Sequence, residues 1–414
     1  MGVVKRLFSE GYRVFFLAGC LFALLAMLVW EVWLAAQAQG GGLDLPMAWP
    51  ANLWHGHEMI IGYAGATLGG FLLTSASGLT GPSGLPRRFI AVVFGLWLLG
   101  RVAVWNAALL PATLVALADL SYLPVLATKI ALQLVARPKL QQALLLAIVA
   151  LVWTSNLSFH LEGFGLLTDG ASRGVRGALL AHSAMLLIIG GRLVPGFTRN
   201  AMMQAGQEQG HPQNPAALAV LSIAPGLALV PAVLAGAPAG AIAALALMAG
   251  GAALVRLLFW RGWWAWSRPI LWTLHMAFLL NGLGLVAFGM AAVGVGDELA
   301  ALHLIGIGGI GGITISILTR LTLGLTGRPL VAPWPVAVAY ALIPLAALIR
   351  FAASTWPEIY YPASLAAGAL WLLAFGLVLV ALAPVFLGPR LARAPVLRQP
   401  GDKAAQIRRD GTKA

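Results

Sequence analysis

Charge is what this sequence has least of. Asp, Glu, Lys and Arg make up 9% of the 414 residues, against 60% for the hydrophobic types, whereas a soluble domain carries roughly 25% charged residues. A chain so poor in polar surface cannot cover a soluble globule, so its apolar excess must face lipid. Cysteine is scarcer still. Cys20 stands alone, which excludes disulfides and any metal held by a thiolate cluster. No His-Glu-x-x-His run marks a zinc hydrolase. Alternating polar and apolar stretches are also missing, and that excludes a transmembrane β-barrel.

What the sequence has in quantity is apolar blocks of about 20 residues, enough to cross a ~30 Å hydrocarbon layer as helix. They predict an all-α polytopic membrane protein of about 12 transmembrane helices. The spans fall at residues 14–36, 55–79, 88–107, 109–133, 139–161, 174–196, 214–236, 238–259, 267–293, 299–323, 334–355 and 360–387. Residues 1–389 then form a single membrane domain, and 390–414 a basic cytoplasmic tail expected to be disordered. Lys5, Arg6 and Arg13 precede an apolar run that ends in Ala36-Gln37-Ala38, as in a signal peptide. The run is too long for one, so it is kept as the first helix.

The formal charge of +13 does not imply a nucleic acid partner, because the basic residues occupy short loops and the tail rather than one soluble face. They are topology determinants that meet anionic headgroups. With the N-terminus inside, every Lys and Arg except Arg101, Arg173, Arg176 and Arg350 falls on the inner side. Both termini are therefore expected in the cytoplasm.

Ionisable residues within spans are expensive and mark function by default. His55, His57 and Glu58 open the second span at its outer end. His160 closes the fifth on the same side, His182 lies in the outer third of the sixth, and His303 opens the tenth. His275, in the inner-to-middle part of the ninth, stands apart, and His211 sits in a polar inner loop. A lone histidine is more often a hydrogen-bonded structural group, but five at one depth point to a metal centre, since neutral imidazole suits haem iron and copper. His55 and His57 lie about 200° apart on a helix and should not face one metal. Gly306, Gly309 and Gly312 follow His303 at helical spacing, a ridge for a flat macrocycle or simply for helix packing. Arg101, a turn and a half inside the third span, needs haem propionates or Glu58 to compensate it, or else snorkels to the interface. Asp119, mid-way along the fourth span with no charge nearby in sequence, is either a proton relay or a hydrogen-bonding group.

These residues carry a resemblance. His55-Gly-His-Glu-Met59, Gly70-Phe-Leu-Leu-Thr74, Leu98-Leu-Gly-Arg101 and Asn156…His160-Leu161 resemble the NnrS proteins. So do His182 with Gly190-Gly-Arg-Leu-Val-Pro-Gly-Phe-Thr-Arg-Asn200, Leu274-His275, and His303 with Thr319-Arg320 and Leu323-Gly-Leu-Thr-Gly-Arg-Pro329. The N-terminal Leu7-Phe-Ser-Glu-Gly-Tyr-Arg-Val-Phe-Phe16 fits as well, so the likeness runs from about residue 7 to 330. It implies a haem- and copper-containing protein of the bacterial inner membrane, concerned with nitric oxide and nitrosative stress. Two departures stand out. Leu325 occupies a histidine position, which removes an inner-side ligand and weakens copper more than haem. Leu79-Thr80-Gly81 replaces Trp-Thr-Gly.

The expected function is a haem b protein, with copper, that binds nitric oxide and reduces it. Its preferred ligands are His57, His182 and His303, followed by His55, His160 and His275. Arg101, Gly306 and Gly309 would serve the cofactor, and Glu58 or Asp119 would deliver protons. The bilayer, nitric oxide and an unspecified electron donor are the expected partners. A secondary transporter with protonatable histidines is the rival, although no repeat relates the two halves. A copper-handling membrane protein is a third option.

Overall fold

Proline marks where helices begin in this chain. Pro50, Pro86, Pro111, Pro215, Pro238 and Pro333 each immediately precede a helix. The first backbone N–H groups of a helix have no intrahelical partner, so a residue lacking one costs nothing there. The computed structural model describes residues 2–77, 85–136 and 139–391. In it, twelve long helices follow one another: α1 (Gly11–Ala38), α2 (residues 51–77), α3 (Arg87–Trp105), α4 (Ala112–Leu132), α5 (Leu140–Gly163), α6 (Gly170–Gln204), α7 (Ala216–Leu234), α8 (Ala239–Leu258), α9 (Pro269–Ala292), α10 (Glu298–Leu325), α11 (Trp334–Thr355) and α12 (Tyr360–Leu387). No strand occurs among the described residues.

Among the described residues, eleven helices are long and apolar enough to cross a membrane. α2 is equally long but is diluted by His55, His57, Glu58 and its glycines. The fourth helix starts at Ala112 rather than 109, because Pro111 sets its beginning. The tail from residue 392, Arg137 and the tripeptide Leu79-Thr80-Gly81 lie outside the described residues.

The start of α1 meets the end of α12. The Arg13 guanidinium, near the start of α1, donates to the carbonyls of Phe386 at 2.7 Å and Gly388 at 2.9 Å, within and just beyond the last turn of α12. Arg6 donates to Leu387 O at 2.7 Å. These carbonyls have no intrahelical donor, and the negative end of the helix dipole favours a cation there. The first helix therefore begins where the last one ends, so the chain crosses the bundle an even number of times.

Of the eleven apolar helices, α6, α9 and α10 are the most buried. α10 closes on α9 through Gly308, Gly309 and Gly312, which lie against Leu280, Asn281 and Ala277. A Cβ on Gly309 would come within 3.0 Å of Asn281 Cβ. Small residues let two helix backbones approach in lipid, and Gly309 takes part in that packing.

Three helices depart from α geometry over one stretch each. π-helical segments span Glu58–Ala64 in α2, Leu186–Gly190 in α6 and Leu304–Gly311 in α10. They begin beside His57, four residues after His182, and directly after His303. A π segment inserts an extra residue into the helical register and is retained mostly at functional sites. Glycine-rich Leu304–Gly311 is locally weak as α-helix, and this eases the distortion.

Candidate metal centre and cofactor cavity

The end of the bundle away from the termini holds two polar sites, one on each side of the first turns of α2. The separation of about 200° between His55 and His57 sends the two rings into different surroundings. The five histidines expected at one depth are thereby divided.

His57 enters a buried ionic network. Its Nδ1 lies 2.9 Å from Glu58 Oε1, and its Nε2 lies 3.2 Å from Asp119 Oδ2 and 2.9 Å from Asn156 Oδ1. His160 Nε2 lies 2.8 Å from Asp119 Oδ2, and Asn156 Nδ2 donates to the same oxygen at 2.8 Å. Asn156 and His160 are four residues apart on α5 and so share a face. Arg101 forks between the carboxylates, pairing with Glu58 through one terminal nitrogen and with Asp119 through the other. Gly100 allows this, because a Cβ there would stand 3.1 Å from the Asp119 Cα, so α3 and α4 close tightly. The Phe159 ring covers His57 at 4.3 Å between centroids, and Trp49 meets His160 edge-on at 5.7 Å.

Arg101 is thus compensated by Glu58 and Asp119, and Asp119 is far from being an isolated carboxylate. One guanidinium against two carboxylates leaves the network one positive charge short. A proton on an imidazole or a bound cation closes that deficit, and a buried uncompensated charge is too costly to leave. His57, Asp119 and His160 each offer a ligand atom, all within 4.8 Å of one another, so this buried group could hold a metal ion. Two imidazoles and a carboxylate are a donor set that suits copper or iron.

His55 enters a cavity of about 370 Å³ whose walls come from α1, α2, α6, α10, α11 and α12. The size lies within the range of small-molecule and cofactor sites, roughly 300–1,000 Å³. His303 lines the same cavity. Its Nδ1 donates to Leu299 O at 2.7 Å, an orientation that leaves Nε2 free for a ligand. His55 stacks on Trp30 with centroids 4.4 Å apart, and its Nδ1 is buried without a partner. Gly306 lines the cavity with only Leu179 within 4 Å of a Cβ built on it, so that wall is open. Arg350, also on the wall, has no carboxylate partner among the described residues and lies over the Tyr360 ring at 5.3 Å. Two histidines, a guanidinium without a carboxylate partner and a glycine-smooth wall could take a haem, with His55 and His303 to hold it and Arg350 to meet a propionate.

Of the six histidines within the spans, two join neither site. His182 is buried on α6 with Nδ1 on Ala178 O at 2.9 Å, and its Nε2 has no partner. It lies one turn beyond Leu179, a cavity wall residue. His275 sits toward the end of the bundle that holds the termini, with its Nε2 3.0 Å from Thr198 Oγ1 and its ring edge-on to Trp260. His57, His182 and His303 therefore do not share one centre. Spacing alone also passed over the Glu31, Tyr63, Arg350, Tyr360 and Ser364 side chains of the cavity. Glu31 carried a signal, being a carboxylate in an apolar run like Asp119.

A comparison with curated proteins finds no match. A family model described as NnrS protein matches residues 6–390, and the chain belongs to the NnrS family.

Proposed function

We propose that this protein binds haem b in the cavity between α2 and α10, holds copper at His57, Asp119 and His160, and reduces nitric oxide arriving from the bilayer. The observation that carries the haem assignment is the pairing of His55 and His303 in one cavity, each with a ring nitrogen left for a ligand. Bound haem would supply redox chemistry toward a diatomic gas, with one of the two histidines giving up its place to it. The protein contributes the rest. The apolar wall of Ile307, Ile310 and Trp371 keeps bulk water away, and Trp30 fixes the plane of the His55 ring. Copper at the ionic network would supply the missing positive charge. Placement in the bacterial inner membrane, with both termini cytoplasmic, accords with the basic loops and with the shared end of α1 and α12.

Absorption spectra and metal analysis of detergent-purified protein test the assignment. His55→Ala and His303→Ala should lose the Soret band and keep copper. His57→Ala and His160→Ala should lose copper and keep the Soret band, and His275→Ala should lose neither. A parent protein without haem removes the haem assignment. Full haem in both cavity variants moves the ligands elsewhere, with His182 next in line. Nitric oxide that binds but is not consumed in the presence of a reduced mediator would make the protein a carrier or sensor instead of a reductase.

A further inference from the structure

We infer that Glu31 is the proton donor of the cavity, giving its proton to an oxygen atom of the ligand held there. The inference rests on the haem assignment made above. Among the described residues lining the cavity, Glu31 is the only carboxyl. Its Oε1 is buried and has no hydrogen-bond partner. Ser364 Oγ, on the wall of the same cavity, is likewise buried without a partner. Two unsatisfied polar groups around one space are unusual, because buried polar atoms are nearly always hydrogen-bonded. They mark the positions where a polar occupant is expected to bind.

The placement of Glu31 depends on α12. Its carboxyl group lies against Gly368, where any Cβ would collide with it. A helix face without a side chain lets the carboxyl reach the cavity. The preceding residue, Trp30, stacks on His55, so α1 supplies both the wall of the haem ligand and the acid beside it. Among the described residues no cation pairs with Glu31. Arg176 is taken by Glu298, and Arg350 turns to Ser354 and the Tyr360 ring. The two other buried carboxyls of this end of the bundle are committed elsewhere. Glu58 and Asp119 are both held by Arg101 and by His57. They are partners in a closed network, and neither lines the cavity.

In its acid form Glu31 has an O–H to donate and nothing in the protein to take it. Two nitric oxide molecules, two electrons and two protons give one nitrous oxide and one water. Electrons come from a donor of the quinol or reduced-dye class. The Glu31 O–H bond breaks, an O–H bond forms on the ligand oxygen that departs as water, and the carboxylate takes up another proton from water before the second transfer. A positioned acid of this kind contributes about 10²–10⁴-fold to rate.

The test uses purified holoprotein with Glu31→Gln, which keeps size and hydrogen bonding but has no carboxyl proton, and Glu31→Asp, which keeps the acid. Haem content and the carbon monoxide spectrum serve as controls. Nitric oxide consumption is followed with ascorbate and a redox mediator, and infrared difference spectra are recorded on photolysis of bound carbon monoxide. Glu31→Gln is expected to keep its haem, lose a carboxyl C=O band and slow consumption about a hundredfold, with Glu31→Asp recovering part of both. Unchanged consumption and an unchanged carboxyl band in Glu31→Gln overturn the inference while leaving the haem assignment standing. Loss of haem in both variants overturns it too, since Glu31 would then only shape the cavity. A parent without haem removes the haem assignment and this inference together.

Discussion

At the scale of single residues, the chemistry of this protein turns on how buried charges are shared. Arg101 bridges two carboxylates, a task for which its planar fork is suited and a lysine is not. Arg101→Met leaves Glu58 and Asp119 facing each other without a cation. Removing one partner of a buried pair costs about 3–5 kcal/mol, so thermal unfolding in detergent should show a loss of that order. Adding Glu58→Gln removes one of the stranded charges and should restore part of the stability, a coupling that a double-mutant cycle measures. If Arg101→Met alone is as stable as the parent, the carboxylates are neutralised by something other than Arg101. The need for a partner to Arg101 was legible in sequence, because a guanidinium inside a span demands one. Its identity was split between Glu58 and an absent propionate, since a linear sequence cannot show that Asp119 lies beside Gly100. The isolation of Asp119 was an illusion of the same kind: its three other partners come from α2 and α5.

At the scale of elements, most of the helices could be read from apolar blocks and prolines, but the three π segments could not. Hydropathy follows composition and is blind to a one-residue change of register. That change matters because each residue turns a helix by about 100°. In α10 the π segment Leu304–Gly311 separates His303, at the cavity, from Gly312, which is packed on α9. Deleting Ile307 should let the segment relax to α geometry and swing His303 out of the cavity while the lower half of α10 stays in place. The expected result is a protein that inserts and accumulates but loses most of its haem, read as Soret absorbance per mole of protein. Retention of full haem would mean that the segment does not set the position of His303. The angle between His55 and His57, by contrast, was legible, since both lie in the regular stretch Ala51–His57 that precedes the first π segment.

At the scale of the whole molecule, the chain closes on itself at one end and keeps its polar sites at the other. Closure rests on Arg13, which caps the end of α12 with hydrogen bonds to backbone carbonyls. Hydrogen bonds from a charged donor are worth about 1.5–3 kcal/mol each, so Arg13→Ala should destabilise the protein by at least that much in detergent. The cavity, at the far end, should keep its haem spectrum in the same variant. The same closure fixes the parity of the crossings and gives a topological test that does not depend on any cofactor. Even crossings put the C-terminus on the side where α1 begins, and the loop between α1 and α2 on the other. The basic residues choose the sign, because Lys and Arg are retained on the cytoplasmic side. A reporter fused after Ala414 should then read cytoplasmic, and one inserted between Gln37 and Leu53 periplasmic. Reports from the same side would break the even count, because α1 alone separates the two points once the ends of the chain are joined.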